Sequence, residues 1–449
     1  MCAAKQLTKA QKNKAFFVAS DVVTDRIREY KSAKPLTAWL SGYFYIDNNT
    51  ALIFRWTKSA LSVIIVKVKN MKVLSFLKRE PMLTVSVLAA IAALIITPPS
   101  WELLSDIDWR TLGTLFMMLT VLEGFKKENI FRPLLGLAGN IRSMAGLSLF
   151  LVFSVFFSSM FVTNDVSLII FVPLTIILFR AGGKERYILP VISMENIAAV
   201  RGSLLTPFGS PQNLFIYGQS GVSAWRFISY MFPIWVISGV LLVGFVAFLY
   251  RKNIRQKTDI ENFQFIGEWQ RWRRGRRIAY LVIFVLVITT IVTRTGWWFV
   301  VVPAVAAAVF FIDRQVLALT DYVLLLTFFC FFIFSSSIAR NEAISSFLSS
   351  AVANHEYLWS ILLSQAISNV PAAIVLYPFA VNRGALLYGL DSAGLCTLIG
   401  SLASVINYRL YVRDYPGNGK KFILVFTIIS LAFFAIVAVP GYLISLSPL

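Results

Sequence analysis

Long apolar runs separated by short polar stretches make up most of the chain. A helix that spans a bilayer needs about 20 mostly apolar residues. Runs of that order lie at 82–98, 109–124, 143–179, 187–219, 231–250, 278–294, 297–312, 322–338, 357–381, 389–412 and 421–447. This pattern predicts an all-α polytopic membrane protein.

Two of these runs are interrupted near their middles by polar residues. The run 143–179 contains the triplet TND (163–165), and the run 357–381 contains SNVP (368–371). Non-helical backbone at membrane depth is tolerated only where it is buried in protein or lines a cavity. The interruptions therefore predict two re-entrant hairpins, with these polar residues at the tips.

The distribution of basic residues predicts a topology, because cytoplasmic loops are enriched in Lys and Arg. The segment 251–277 carries nine Lys and Arg against three acids, and the segment 408–421 is also basic. Both lie inside if the chain makes about nine full crossings and two hairpins that open to opposite sides. We therefore expect a multi-pass protein of the cell membrane with a cytoplasmic N-terminus and an external C-terminus.

Hairpins of opposite orientation indicate an inverted repeat. Each half of the chain contains two spans, an interfacial segment, a hairpin and an interrupted span. The interrupted spans share the triplet Gly-Ser-Leu, at 202–204 and at 400–402, and we pair these triplets between the repeats. The predicted domains are a first repeat over 71–250, a basic cytoplasmic loop and linker helix over 251–296, and an inverted second repeat over 297–449.

The segment before the first span is polar and basic. Residues 1–70 contain 12 Lys and Arg against four acids, and no apolar run in them is long enough to span a bilayer. Met71 opens a short basic stretch that leads directly into the first span, as at the natural start of a bacterial membrane protein. We expect residues 1–70 to be either a basic N-terminal extension or a start-site artefact.

Composition excludes several classes of protein. The chain is 57% hydrophobic and 14% charged, which does not fit a soluble domain. Its formal charge of +20 is clustered between apolar runs, where Lys and Arg face anionic lipid rather than nucleic acid. The three cysteines show no metal or disulfide spacing, and there is no HExxH motif, catalytic pair of acids or nucleophile with a base. We therefore expect that the protein is not an enzyme and that it binds no cofactor.

The polar residues in the interrupted runs are the candidate site. Hairpin tips free backbone groups that suit small ions, and Asn, Thr and Ser add neutral oxygens and donors. The span 195–213 contains two Pro and two Gly, so it cannot remain one continuous helix, and its hydroxyl and amide groups can donate to an anion. The candidate substrate-binding residues are Thr163, Asn164, Ser203, Thr206, Ser210, Asn213, Ser368, Asn369 and Ser401, and the candidate ion-coupling residues are Asn164, Asp165 and Asn369.

Three charged residues lie inside predicted spans. An acid within a membrane segment indicates function, so Asp165 is a candidate proton or cation carrier. It could instead cap the second helix of its hairpin. Glu195 and Arg201 share one interrupted span, where they could form a structural ion pair, or Arg201 could gate the substrate.

Four segments carry a family resemblance: TNDVSLIIFVPL (163–174), ENIAAVRGSLLTPFGSPQNLFIYG (195–218), SNVPAAIVLYPF (368–379) and GSLASVINY (400–408). They resemble the ion transporter superfamily, specifically its citrate-transporter-like permeases, which are related to divalent anion/sodium symporters and arsenite permeases. The resemblance covers about 73–447 and is most specific at Thr-Pro-x-Gly-x-Pro-Gln-Asn. It implies a homodimer, a scaffold domain, and a moving domain that holds both hairpins and works by elevator-type alternating access. It also implies cation and substrate sites at Asn164 and Asn369, beside Thr163 and Ser368.

The tips depart from one branch of this superfamily. Sodium/dicarboxylate symporters carry Ser-Asn-Thr at both tips, whereas the third residue here is Asp165 or Val370. An acid at the first tip is similar to the arsenite-permease and proton-linked branches. We expect a secondary transporter of a small anion, either citrate- or dicarboxylate-like or an inorganic oxyanion, coupled to Na⁺ or H⁺. The alternatives are an arsenite/antimonite efflux permease, an Na⁺/H⁺ antiporter and, from a different class, an ion channel.

Overall fold

The computed structural model describes residues 80–131, 137–138, 141–252, 274–447 and 449. The predicted extension 1–70 and most of the basic loop 251–277 lie outside these residues. The described part folds into helices and their connections, without a strand. Seven of its helices are long and apolar enough to cross a membrane. The prediction of an all-α polytopic membrane protein is confirmed.

The helices fall into two successive groups. The first group consists of α1 (Pro81–Ile96), α2 (Trp101–Asp106), α3 (Trp109–Lys127), α4 (Met144–Val162), α5 (Asn164–Ala181), α6 (Ile188–Ser203), α7 (Pro211–Ser220) and α8 (Ala224–Leu249). The second group consists of α9 (Arg274–Thr293), α10 (Trp298–Leu319), α11 (Tyr322–Ala339), α12 (Glu342–Val352), α13 (Glu356–Ile367), α14 (Asn369–Leu376), α15 (Arg383–Ala393), α16 (Leu402–Asp414) and α17 (Gly419–Ser445). The seven candidate spans are α4, α5, α8, α9, α10, α11 and α17.

Short polar side chains set where several helices begin. Ser143, Ser223 and Asn382 each accept a hydrogen bond from the backbone N–H three residues further on, at 3.1, 3.2 and 3.0 Å. Such caps satisfy donors that have no partner inside the helix. They also explain two corrections: α8 begins at Ala224 rather than 231, and α15 begins at Arg383 rather than 389. Both predicted starts were wrong because a capped first turn need not be apolar.

Helix breaks lie inside four of the predicted apolar runs. The run 143–179 divides into α4 and α5, and the run 357–381 into α13 and α14, each pair separated by one residue. The run 187–219 divides into α6 and α7, and the helices of the run near 389–412 are α15 and α16. Polar residues therefore coincide with ends of helices.

The packing pairs recur from one half of the chain to the other. Helix α1 packs against α11, and α3 packs against α10. Helix α4 packs against α6, as α13 packs against α15. Helix α5 also contacts α16, as α14 contacts α7. Each one-residue break therefore adjoins helices of an interrupted span from both halves.

The interrupted spans form the centre of the molecule. Every residue from 191 to 217 and from 384 to 396 is buried. Ion pairs lie instead at helix ends, where Lys127 Nζ is 2.5 Å from Asp313 and Arg340 Nε is 2.7 Å from Asp106. The polar backbone of the first break is thus enclosed by protein, as an irregular segment at membrane depth requires, whereas the second break also includes the exposed residues Thr397 and Ile399.

The two one-residue breaks have the same backbone conformation. Thr163 has φ 69° and ψ 157°, and Ser368 has φ 69° and ψ 158°. This region is populated almost only by glycine, and other residues in such regions cost about 1–3 kcal/mol. Two non-glycine residues therefore keep the same strained geometry at corresponding places in the two halves.

The strain predicts an unusual order of stability at the first tip. Thr163→Gly should be more stable than Thr163→Ala by about 1 kcal/mol or more, because only glycine relaxes at this φ. Thermal unfolding of the purified protein measures the difference. The control is Thr289, an exposed residue of α9, where alanine should exceed glycine by about 1 kcal/mol. The same order at both positions would show that the tip is not strained.

Candidate functional site

A cavity of about 110 Å³ lies where the first tip meets the starts of α7 and α16. Most of its wall is apolar, with a few polar groups, as is usual for a binding site. It is large enough for several water molecules or a small ion. The polar lining residues are Glu123, Lys126, Thr163, Asp165, Ser210 and Asp321.

Three helix N-termini of the first hairpin and the two interrupted spans meet at this cavity, and the N-terminus of α11, capped by Asp321, also lies in its wall. Thr163 precedes α5, Ser210 precedes α7 and Leu402 begins α16, and all three residues line the wall. A helix N-terminus carries a partial positive charge and directs N–H groups outward, which favours an anion. Ser210 accepts from Asn213 N at 3.4 Å, whereas Thr163 and Ser401 make no side-chain cap. Backbone donors of α5 and α16 are therefore not capped by the residue before them.

Charged side chains of α3 and α5 also reach the cavity. On α3, Lys126 Nζ lies 3.1 Å from Glu123 Oε2. Asp165, in the first turn of α5, also lines the wall and has a buried Oδ1 without a hydrogen-bond partner. The wall therefore contains one fixed cation, Lys126, and acids that can bind a further cation.

Asp165 does not cap its helix. The N-cap residue of α5 is Thr163, and Asp165 accepts no capping hydrogen bond in this turn. Instead, Asn164 Oδ1 accepts from the backbone N–H of Asp165 at 2.9 Å. The capping interpretation of Asp165 was wrong because the helix begins one residue before it. The carboxylate is left facing the cavity.

The second tip abuts the second break. Asn369 N donates to Gly400 O at 3.1 Å, and Ser368 Oγ donates to Asn369 Oδ1 at 3.4 Å. Asn369 Nδ2 is buried without a partner. Neither Ser368 nor Asn369 lines the cavity at the first tip. The described cavity thus brings together Thr163, Asp165 and Ser210, but not the second tip.

Three predicted site residues hold the irregular backbone of the first break. Ser203 Oγ donates to Val200 O at 3.1 Å, Thr206 Oγ1 to Met160 O at 2.5 Å, and Asn213 Nδ2 to Leu204 O at 3.2 Å. All three are buried and none lines the cavity. Their observed bonds satisfy carbonyls that a continuous helix would have satisfied itself.

The pairing of the two Gly-Ser-Leu triplets between the halves was wrong. Ser203 is the last residue of α6, whereas Ser401 is the residue before α16. The counterpart of Ser401 is Ser210, which precedes α7; both have φ −147°. A match of three residues does not show where a helix begins. The triplets therefore aligned the end of α6 with the start of α16.

Glycine precedes both of these serines because the backbone is crowded there. A Cβ on Gly209 would contact the carbonyl oxygen of Ser203, and a Cβ on Gly400 would contact that of Ala393. These carbonyls belong to the last residues of α6 and α15. Each break therefore folds back onto the helix that it leaves.

The predicted ion pair between Glu195 and Arg201 was also wrong. Arg201 Nε donates to Ser238 Oγ at 3.0 Å, and Arg201 Nη1 donates to Asp391 O at 3.4 Å. Glu195 accepts instead from Thr175 Oγ1. Six residues on a helix place two side chains about 9 Å apart along the axis and on different faces. Arg201 is fully buried and does not line the cavity at the first tip, and a gating role for it stays a prediction.

Asp391 is a buried acid that the sequence interpretation missed. It is 1% exposed, and its Oδ1 accepts from Gln212 Nε2 at 3.2 Å. Arg201 and Gln212 come from the first interrupted span and Asp391 from the second, so these residues join the two breaks. The signal was available, because an acid within an apolar run is the criterion that identified Asp165.

Crowding at the second break predicts a specific effect of a methyl group. Gly400→Ala should destabilise the protein by about 1–3 kcal/mol, because the new Cβ must displace the Ala393 carbonyl or distort the break. Thermal unfolding measures the loss. Gly244→Ala is the control, since nothing lies within 4 Å of a Cβ at that exposed position of α8. Equal stability of the two variants would contradict the close approach.

Comparison with known proteins places the chain among transporters. A family model described as "Citrate transporter" matches residues 73–393. An uncharacterized transporter of Methanocaldococcus jannaschii is 29% identical over 310 residues, which are 69% of this chain and 83% of that protein. The inner membrane protein YbiR of Escherichia coli is 29% identical over 322 residues, 70% of this chain and 82% of that protein. These relationships indicate a membrane transporter.

The family match covers well over half of the chain, including both tips and the first interrupted span. It agrees with the predicted resemblance and with the all-helical, multi-pass fold. The chain belongs to the citrate transporter family.

Proposed function

We propose that the protein is a secondary active transporter that binds a small anion in the cavity at the first tip. The observation that carries this proposal is the meeting of three helix N-termini with Lys126 around one small chamber. N-terminal dipoles and a lysine favour a carboxylate or oxyanion without requiring a cofactor. Citrate- or dicarboxylate-like anions and inorganic oxyanions all fit this chemistry.

Acids in the same wall supply a place for the coupling ion. Asp165 has a carboxylate oxygen without a partner, and Asn164 lies directly before it. A bound Na⁺ or H⁺ would neutralise Asp165 and so lower its repulsion of an anion in the same cavity. This arrangement supports symport, in which the anion and the cation occupy the cavity together.

The same acid favours a second candidate function. If Asp165 alternates between Na⁺ and H⁺, the cavity performs cation/proton exchange without an anion. An arsenite/antimonite permease would also use an acid at this tip, by analogy with the branch that the sequence resembles. The ligand experiment below separates these candidates.

We further propose that transport proceeds by an elevator mechanism in an inverted repeat. Helices α1, α3, α10 and α11 would form a scaffold, and the interrupted spans with both hairpins would move. The recurring packing pairs and the identical backbone of the two tips support this division. In this proposal the tips belong to re-entrant hairpins, and two copies dimerise in the cell membrane.

A ligand panel tests the function directly. A ligand that binds only the folded state raises stability by RT ln(1 + [L]/Kd). We expect citrate, succinate, sulfate or arsenite to raise the melting temperature of the purified protein, with Na⁺ or at low pH increasing the shift. Stabilisation by Na⁺ alone would favour cation exchange. No shift with any anion or cation, together with an ungated current in planar bilayers, would point to a channel.

The tip asparagines should be essential for transport. Neither side chain lines the cavity at the first tip, so this prediction tests the two-tip site that the family resemblance implies. If each asparagine bonds a charged ligand there, loss of that bond costs about 1.5–3 kcal/mol, and Asn164→Ala and Asn369→Ala should each lower uptake of the stabilising anion by about tenfold or more. Uptake into proteoliposomes measures this loss, and size-exclusion chromatography checks folding. The exposed Asn418→Ala is the matched control and should transport normally. Unchanged uptake in both tip variants would rule out a two-tip site.

A further inference from the structure

Glu195 is a fully buried acid that the cavity at the first tip does not use. It lies on α6, is 0% exposed and does not line that cavity. Its Oε1 accepts from Thr175 Oγ1 of α5, and its Oε2 is buried without a hydrogen-bond partner in the described part of the chain. The carboxyl group is thus held between two helices with half of its acceptor capacity unmet.

No cation among the described residues compensates this acid. Helix α6 packs against α4, α5, α8, α16, α17 and the turn at 185–187. Helix α4 has no charged side chain, and none of the titratable groups on the other elements forms an ion pair or hydrogen bond with Glu195. These groups are Arg201 on α6 itself; Asp165 and Arg180 on α5; Arg226 and Tyr230 on α8; Tyr408, Arg409, Tyr411, Arg413 and Asp414 on α16; Lys420, Lys421 and Tyr442 on α17; and Glu185, Arg186 and Tyr187 in the turn.

The hydrogen-bond pattern suits a neutral acid better than a carboxylate. An ionised group with a buried, unpartnered oxygen is costly because neither water nor a cation solvates it. A protonated carboxyl has one O–H donor, and its Oε1–H can donate to Thr175 Oγ1. The remaining Oε2 is then an uncharged carbonyl oxygen, for which a missing partner costs much less.

We propose that Glu195 is a proton-binding site between α5 and α6, separate from the hairpin tips. Proton release would leave an unpaired negative charge between α5 and α6. Helix α5 also carries the first tip, with Asn164 about 16 Å along the axis from Thr175. Protonation of Glu195 therefore sets how tightly the helix that carries the tip packs on the central interrupted span. This inference does not depend on the identity of the transported anion.

The dependence of stability on pH tests the site. An ordinary glutamate titrates near pH 4.3, so above that pH the unfolded chain has released the proton that folded Glu195 keeps. Folding then takes up one proton, so the stability of the folded state falls as pH rises. The folding equilibrium constant decreases by a factor of ten per pH unit until Glu195 itself ionises. Glu195→Gln should lose this component of the slope in thermal unfolding above the range in which an ordinary glutamate titrates, about pH 4.3.

Two controls separate Glu195 from other acids. Glu185→Gln changes an exposed glutamate just before α6 and should keep the wild-type slope. Equal slopes in the wild type and Glu195→Gln would overturn the proposal. So would a wild-type melting temperature that depends on Na⁺ at constant pH and loses that dependence in Glu195→Gln, because the site would then hold Na⁺ rather than a proton.

Infrared spectroscopy provides a test even if Glu195→Gln does not fold. We expect a C=O band of a protonated carboxyl group in the wild type near neutral pH that persists in Asp165→Asn. Thr175→Val removes the hydrogen-bond partner but keeps the acid, so it should shift this band. The absence of a band that responds to Thr175→Val would contradict a protonated Glu195. None of these measurements requires transport, so their failure is distinct from a failure of the proposed function.

Discussion

A polypeptide in lipid can leave the helical conformation only where protein itself satisfies the freed N–H and C=O groups. Four helix breaks in this chain meet that requirement by packing against other helices, and most of their residues are buried. The first longer break lies within the continuous buried segment 191–217, whereas the second, 394–401, is buried except at 397–399. The two one-residue breaks adjoin them, and Asn369 N donates to Gly400 O where a tip meets a break. The rest of the structure is arranged around this enclosed, non-helical backbone.

The enclosure also determines how buried charge is handled. Arg201 cannot reach water, so it donates to Ser238 and to the carbonyl oxygen of Asp391. Asp391 in turn accepts from Gln212. The charged groups thus tie the first interrupted span to the second, and removing one partner of such a buried group costs about 3–5 kcal/mol. Glu195 has only a neutral partner, Thr175. In our proposal its protonation state therefore affects how α5 packs against α6.

Strain and polarity converge at the first tip. Thr163 keeps a backbone conformation that glycine would adopt more easily. With this conformation, the start of α5 lies at a cavity that two other helix N-termini of the interrupted spans also line. Such preorganisation supplies positive potential without a mobile cation. The acid of Asp165, beside these N-termini, adds negative charge to the same small space. A site with both signs of charge is chemically suited to an anion that travels with a cation.

The sequence by itself determined the class of fold and the positions of the breaks. Apolar run length is a direct consequence of bilayer thickness, and polar residues such as Thr163 and Ser368 within those runs marked where helices end. The family resemblance, too, followed from short linear motifs. Only the tertiary structure decided which polar groups meet. It separated Glu195 from Arg201, joined Arg201 to Asp391, paired Ser210 with Ser401, and placed Lys126 in the wall with Asp165. These outcomes depend on helix phase and on contacts between residues far apart in the chain, and spacing along one sequence contains neither.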